Sequence, residues 1–412
     1  MKNIIAIFII FLTATNLYAQ SWQEIFADSI LQGYIAEALE NNSDIKTAQL
    51  SLQQSETMLK SARLSYLPTF AFAPSLEINK ERNASASYTY KLPVTMNWEI
   101  NFGGKQRFEK EIAKLQVQRD TQQLKSAQIQ IIADLANAYY TLISLDRQYE
   151  ITQQGLENQQ ETLRVLRALK EVGQQSEIAV NQAEASYQST AASLPVLESQ
   201  IKKTETSICL ILNREPAHIE RTSWQKINDI QIDFRQEIPL EKLSSRPDVL
   251  SAEYALRAAL GNVKIARSDF YPTLSISASA GLTDLALNAL GSLIQPLFQQ
   301  GKLKANRKSA QLQYQQAEIT FKKTLLVASA EVHDALADCQ AFSTRNNARI
   351  LQVSAAQKAF ENSRETMRYA QTSYLEVLTA QNSYLEAQLQ QSADFLEFQQ
   401  CLINLYKAVC YE

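Results

Sequence analysis

Two stretches of this chain are versions of one another. Residues 44–68 (DIKTAQLSLQQSETMLKSARLSYLP) align without a gap on residues 248–272 (DVLSAEYALRAALGNVKIARSDFYP) at an offset of 204, with seven of 25 positions identical. The identities are Asp44/Asp248, Ala48/Ala252, Leu52/Leu256, Lys60/Lys264, Ala62/Ala266, Arg63/Arg267 and Pro68/Pro272. Further along the offset becomes 197, pairing Gly104-Lys105 with Gly301-Lys302, Leu115-Gln116-Val117-Gln118 with Leu312-Gln313-Tyr314-Gln315, and Val180 and Ala183 with Val377 and Ala380. The seven-residue difference falls between Pro68 and Gly104 in one copy and between Pro272 and Gly301 in the other, so length is free to vary only there. A chain carrying one unit twice is constrained to a fold made of two versions of that unit.

Each unit reads helix, β-hairpin, long helix, helix. The chain has nine Gly and nine Pro, and none of either follows Gly301, which argues for very long helices. In the first copy Ile129, Ile132, Ala136, Tyr139 and Ile143 recur at steps of three and four, and Leu156, Leu163 and Leu166 continue the stripe. The second copy shows Leu325, Val332, Leu336, Cys339 and Phe342, then Ile350, Val353, Phe360 and Met367. Such narrow apolar stripes are the seams of coiled coils. The spacing predicts long helices over 105–172 and 175–212, and again over 302–371 and 373–409. Between Lys105 and Val172 the only breaker is Gly155, and about 1.5 Å per residue makes that helix roughly 100 Å long.

Between the helices the period switches to two. Tyr88, Tyr90, Leu92, Val94, Met96, Trp98, Ile100 and Phe102 fall on one face of a strand, and Thr89, Lys91, Pro93, Thr95, Asn97, Glu99 and Asn101 on the other. Phe70, Phe72, Leu76 and Ile78 give its partner the same pattern, completing a hairpin at about 68–102. In the second hairpin, about 272–299, Leu274, Ile276, Ala278 and Ala280 alternate with Thr273, Ser275, Ser277 and Ser279. Its last strand, near Leu290 to Phe298, is interrupted by Gly291 and Pro296. Alternation of this kind suits a half-buried sheet in a soluble domain as well as a barrel wet inside and greasy outside. The N-terminus favours the barrel. Met1-Lys2-Asn3, the apolar run Ile4 to Leu12 and the close at Leu17-Tyr18-Ala19 form a signal peptide, expected to be cleaved near Ala19. Four strands cannot close a barrel, for which about eight are needed, and open edges in lipid leave peptide groups unpaired. Several chains are therefore expected to share one barrel.

From these residues the chain resembles the TolC-like outer membrane efflux protein family, the outer-membrane factors of tripartite exporters. The most specific piece is SRPDVLSAEYALRAALGNVKIARSDFYPTLSISASAGL, Ser245 to Leu282. Asn41-Asn42-Ser43-Asp44-Ile45, Trp98-Glu99-Ile100-Asn101-Phe102-Gly103-Gly104, Gln295-Pro296-Leu297-Phe298, Tyr374-Leu375-Glu376-Val377-Leu378-Thr379-Ala380-Gln381 and Leu405-Tyr406-Lys407-Ala408 support it in order. The resemblance implies a mainly α fold with a membrane β-barrel portion. Three chains would give four strands each to a 12-stranded barrel, continued by a periplasmic α-helical barrel. It implies an organisation of signal peptide 1–19, first repeat 20–212, equatorial linker 213–245 and second repeat 246–412. The implied partners are two further copies, a periplasmic adaptor, an inner-membrane pump and outer-membrane lipid.

The resemblance further assigns the tip turns around Gly173 and Ser176, and around Gln371 and Ser373, to adaptor docking. It assigns Glu376, Thr379 and Arg368 to a periplasmic gate, in which copies of Glu376 would form an acidic ring favouring cations. The second turn lacks glycine and is shorter than the family pattern, and Thr379 stands where many relatives have aspartate. The eight residues Tyr88 to Phe102 named above would face lipid. The implied function is passive conduction of small molecules such as drugs, detergents or metals. A duct for protein secretion and an exported coiled-coil structural protein are the alternatives.

Other chemistries find little support. A formal net charge of −3 gives no footprint for nucleic acid. His218 and His333 are the only histidines, neither with a second ligand at metal spacing, and His333 beside Asp334 is expected to be a hydrogen-bonded structural residue. Gly103-Gly104 lacks the Lys-Ser/Thr of a phosphate loop. No catalytic group, cofactor or metal is expected, and the chain is not read as an enzyme. Cys209, Cys339, Cys401 and Cys410 lie in helical patterns and are expected to be buried small residues rather than a disulfide framework; none sits just after the signal core as a lipoprotein cysteine would.

Overall fold

The computed structural model describes residues 22–79, 87–227, 243–281, 287–295, 300–368 and 373–409. In chain order these form α1 (Trp22–Ile25), α2 (Ser29–Asn41), α3 (Ser43–Leu64), β1 (Thr69–Phe72), β2 (Ser75–Asn79), β3 (Ser87–Lys91), β4 (Pro93–Asn101), α4 (Lys105–Glu171) and α5 (Glu177–Ile211). Then come α6 (Trp224–Ile227), α7 (Pro247–Ser268), β5 (Thr273–Gly281), β6 (Leu287–Ile294), α8 (Lys302–Arg368) and α9 (Tyr374–Val409). The signal-peptide residues, most of the linker beyond Ile227, Gln371 and Cys410 lie outside the described residues.

The duplication sets element lengths to the residue. Helices α3 and α7 both have 22 residues, and both their ends are 204 apart. Helices α4 and α8 both have 67 residues, with both ends 197 apart. Helix α5 runs through Pro195, which removes one backbone donor and clashes with the preceding turn.

The chain divides into two compact units, each drawing on both repeats: residues 1–46, 127–243 and 327–412 in the first, residues 47–126 and 244–326 in the second. The first unit is helical. Ile132, Ala136, Tyr139 and Ile143, the stripe expected of α4, are buried, and Leu402 and Tyr406 of α9 are buried with them. Phe26 meets Tyr406 edge to face at 5.6 Å. In α8, Val332, Cys339, Phe360 and Met367 are buried, whereas Ile350 is exposed in the single chain. Arg221 ties the start of the linker down: it donates to Asp146 at 2.6 and 2.8 Å and to Glu205 at 2.5 Å. Tyr139 donates to Asp28 Oδ2 at 2.8 Å and accepts from the Thr222 amide at 3.0 Å.

Two cysteine readings change. Cys339 of α8 and Cys401 of α9 form a disulfide with their Cα atoms 5.6 Å apart, within the span such a bond requires. Buried Cys209 remains free. His333 is also corrected: its side chain is exposed and its Nδ1 lies 3.7 Å from Asp334, too far for a hydrogen bond.

The second unit holds the sheets. Four strands run in the order β1-β4-β5-β6, all antiparallel, and among the described residues β2 pairs only with β3. The strand expected to run unbroken from Tyr88 to Phe102 is therefore two, β3 and β4, with Phe102 just past the end of β4. Proline explains the break: Pro74 and Pro93 stand where β1 passes into β2 and where β4 begins, and neither has an N–H for the ladder. Strand β6 is Leu287–Ile294, beginning three residues before the expected Leu290, while Pro296 and Phe298 lie outside the described residues. Gly291 is accommodated within it, opposite Ile276.

Candidate functional site

The register of the four-stranded sheet decides which side chains share a face. Phe70 pairs with Met96 and Phe72 with Val94. Val94, Met96, Trp98 and Ile100 pair with Ala280, Ala278, Ile276 and Leu274, and these four in turn with Leu287, Ala289, Gly291 and Leu293. Since partners in a ladder lie on the same side, this face is apolar in every row. The opposite face carries Thr69, Thr95, Asn97, Glu99, Asn101, Thr273, Ser275, Ser277, Ser279, Asn288 and Ser292, with Ala71, Pro93, Gly281, Leu290 and Ile294 its non-polar members. Hydrogen bonds run across the polar face: Thr69 Oγ1 donates to the Asn97 carbonyl at 3.1 Å, and Ser277 Oγ to Asn97 Oδ1 at 2.9 Å. On the apolar face Trp98 Nε1 donates to the Tyr66 carbonyl at 3.0 Å, and Phe70 and Phe72 are 68% and 58% exposed. A contiguous apolar face of this kind marks an interaction surface.

Both repeats meet at the base of this sheet. The Asn101 amide donates to Thr273 Oγ1 at 3.1 Å and to the Ser268 carbonyl at 3.4 Å, while Asn101 Oδ1 accepts from the Gly103 amide at 2.8 Å. A Cβ on Gly103 would lie 2.7 Å from Ser268 Cα, so only glycine lets the two backbones approach this closely. Gly104, at φ +77°, then turns the chain into α4.

In the first unit, the ends of the long helices converge on an apolar cluster: Leu163 and Leu166 of α4, Ala179, Val180 and Ala183 of α5, Met367 of α8, and Val377 and Leu378 of α9. Gly173 takes φ +75°, its amide donating to the Lys170 carbonyl at 2.9 Å and that of Gln174 to Leu169 at 2.8 Å, the helix-ending motif in which glycine is favoured. Ser176 caps α5 by accepting from the Ala179 amide at 3.3 Å, and Ser373 accepts from the Leu375 amide at 3.3 Å. Lys170 with Glu177, and Arg167 with Glu184 at 2.5 Å, bridge α4 to α5. Arg368 is the last residue of α8. Glu376 and Thr379 are exposed on the first turns of α9. The structure thus places Gly173, Ser176, Ser373, Glu376 and Thr379 in or beside the turns that close these helical hairpins.

Sequence reasoning missed a polar layer one turn from that cluster, in which Gln159 and Gln381 are buried and Asn382 is exposed. Gln159 of α4 is buried and donates to Ser186 Oγ of α5 at 3.3 Å, and Ser186 donates to Asn382 Oδ1 of α9 at 3.4 Å. Gln381 is 3% exposed and, among the described residues, neither its amide nitrogen nor its oxygen has a partner; Gln159 Oε1 has none either. No group of three or more His, Cys, Asp or Glu able to hold a metal occurs among the described residues, and none of their helices is long and apolar enough to cross a membrane.

Residues 34–214 and 239–410 match the family described as outer membrane efflux protein. The chain is 27% identical over 410 residues to the probable efflux pump outer membrane protein TtgC of Pseudomonas putida, covering 95% of this chain and 84% of TtgC. It is 23% identical over 389 residues to the cation efflux system protein CusC of Escherichia coli strain K12, covering 90% and 84%. Its fold superposes on the solved outer-membrane channel OprN with a TM-score of 0.88 at 22% identity, over 96% of this chain and 93% of that one.

Proposed function

The chain belongs to the outer membrane efflux protein family, and from that premise we infer that it is the outer-membrane exit duct of a tripartite efflux pump, without enzymatic activity of its own. The observation that carries this reading is the two-faced sheet: apolar in every row on one side, polar on the other, and ending at β1 and β6 in edges that no other described strand covers. An apolar face in water is unfavourable, and an open edge in lipid costs several kcal/mol per unpaired group. One arrangement removes both problems. Three copies joined edge to edge bring four strands each into a 12-stranded barrel with its apolar face on acyl chains and its polar face on water.

The helices would continue this duct into the periplasm, with the linker and chain ends as a collar. We place adaptor docking at the turns holding Gly173, Ser176, Gln371 and Ser373, and the gate at Glu376, Thr379 and Arg368. Cargo is proposed to be small molecules such as drugs, detergents or metals, driven by an inner-membrane pump through that adaptor. A protein-secretion duct and a coiled-coil scaffold are not favoured, because the relatives are efflux proteins.

The mature protein should require detergent for extraction, sediment as a trimer and form conducting channels in planar bilayers. A monodisperse monomer in detergent-free buffer overturns the reading. In the same bilayers Glu376→Gln should reduce cation preference, through loss of three charges at one constriction; unchanged selectivity removes Glu376 from the gate.

A further inference from the structure

The first hairpin is longer than the sheet it belongs to. Phe72 pairs with Val94 and Ser75 with Lys91, so the register passes the two prolines with no residue inserted on either side. The last described pair between β4 and β5 is Pro93 opposite Gly281. Beyond that row, among the described residues, β2 and β3 pair only with each other as a two-stranded ribbon, an arrangement marginal in water by itself.

The ribbon is two-faced like the sheet. Leu76 pairs with Tyr90 and Ile78 with Tyr88, and these four side chains are between 50% and 66% exposed. Because the register is unbroken, they keep the parity of Phe70, Phe72, Val94 and Met96 and continue the apolar face. Ser75 and Lys91 pair on the other side. Along that continuous face the chemistry changes. Below the prolines it is hydrocarbon apart from Trp98, and above them two of four side chains are tyrosines. The nine rows shared by β4 and β5 already meet the roughly 9–11 residues that a tilted strand needs to cross the hydrocarbon. The ribbon rows therefore fall past it, at the depth where amphipathic rings are favoured.

We propose that the β2–β3 ribbon is a shallow membrane anchor, its Leu76, Ile78, Tyr88 and Tyr90 face lying in the headgroup layer of the outer leaflet. This rests on the reading of the sheet's apolar face as lipid-facing. The occupant is lipid rather than a second copy, because copies joined through the edges of β1 and β6 leave this parity pointing away from the barrel. The phenol hydroxyls meet headgroup oxygens and water while the rings and Leu76 and Ile78 cover the ends of the acyl chains.

The full-length protein, with Cys209→Ser and Cys410→Ser and the native disulfide intact, is tested with nitroxide labels at Phe70→Cys, Tyr88→Cys, Tyr90→Cys or Lys91→Cys. Each variant is reconstituted into phosphatidylethanolamine–phosphatidylglycerol vesicles, and collision with oxygen is compared with collision with a water-soluble nickel chelate. Position 70 should show high oxygen and excluded nickel, and position 91 the reverse. Positions 88 and 90 should show an oxygen-to-nickel ratio several-fold above position 91 and below position 70. Ratios at 88 and 90 equal to that at 91, or labels there immobilised and shielded from both reagents, overturn the anchor while position 70 still reports lipid. A nickel-accessible label at position 70 instead overturns the lipid-facing sheet, and the anchor with it.

Discussion

Gln381 buries an amide whose hydrogen-bonding capacity is unmet among the described residues, one helical turn from Val377 and Leu378 of the apolar cluster. A buried unsatisfied polar group costs about 1–3 kcal/mol, so Gln381→Leu should raise the midpoint of thermal unfolding; a fall would show that the amide holds a bound water. Gln381 stood inside the segment that carried the resemblance, yet a glutamine on a helix reads as solvated until the neighbouring helix is in place. Tyr140 behaves oppositely. Burial pushes its phenol well above the ordinary value of 10.0, with Asp28 adding to the rise. Burial does the same for Tyr139, which also hydrogen-bonds Asp28. A raised folded pKa means the fold prefers the protonated phenol, so this stability is complete below pH 10 and is lost as pH climbs toward the folded value. Melting curves between pH 8 and 11.5 should fall above pH 10, and less steeply for Tyr140→Phe; parallel curves would remove this phenol from the alkaline response.

Helices α8 and α9 are joined by more than their apolar seam. The Cys339–Cys401 bond closes a separation of 62 residues, and Asp394, almost wholly buried, accepts from Arg349 at 2.5 Å and lies 3.1 Å from Arg345, which also bridges Glu397. Chain-entropy reasoning puts such a loop at about 4 kcal/mol, so Cys339→Ala with Cys401→Ala should lower stability by up to that amount in urea titrations, and reductant should have no further effect on the double variant. Removing Asp394 leaves half-buried Arg349 without its carboxylate and should cost more than removing exposed Glu397, which should cost under about 1 kcal/mol; equal losses would refute that ranking. The disulfide was within reach of sequence reasoning. With the turn expected near Gln371, Cys339 and Cys401 lie 32 and 30 residues to either side, which brings them level in an antiparallel helical hairpin. Helix lengths were legible because a duplication repeats its boundaries, and the alternating faces were legible because period two survives in the ladder. The division of the first hairpin was not, since Pro93 falls on the polar parity and leaves the apolar alternation unbroken.

In the trimeric channel proposed above, the two faces of the sheet should tolerate charge very differently. Met96→Arg places a guanidinium on the apolar face, at about 2–4 kcal/mol near the bilayer midplane, while Thr95→Arg, one residue away, points to the polar face and should cost little. Trimer recovered from membranes and its resistance to heat on gels should fall for the first and hold for the second; the reverse order would turn the sheet inside out. The matched lengths of α4 and α8, 67 residues each, bear on descent. Both copies are tied together at the strands, through Asn101 and Thr273, and again at the turns, through Leu166 and Met367. Equal length has outlasted most of the identities between the two helices, so the old duplication still keeps its register long after its side chains have drifted apart.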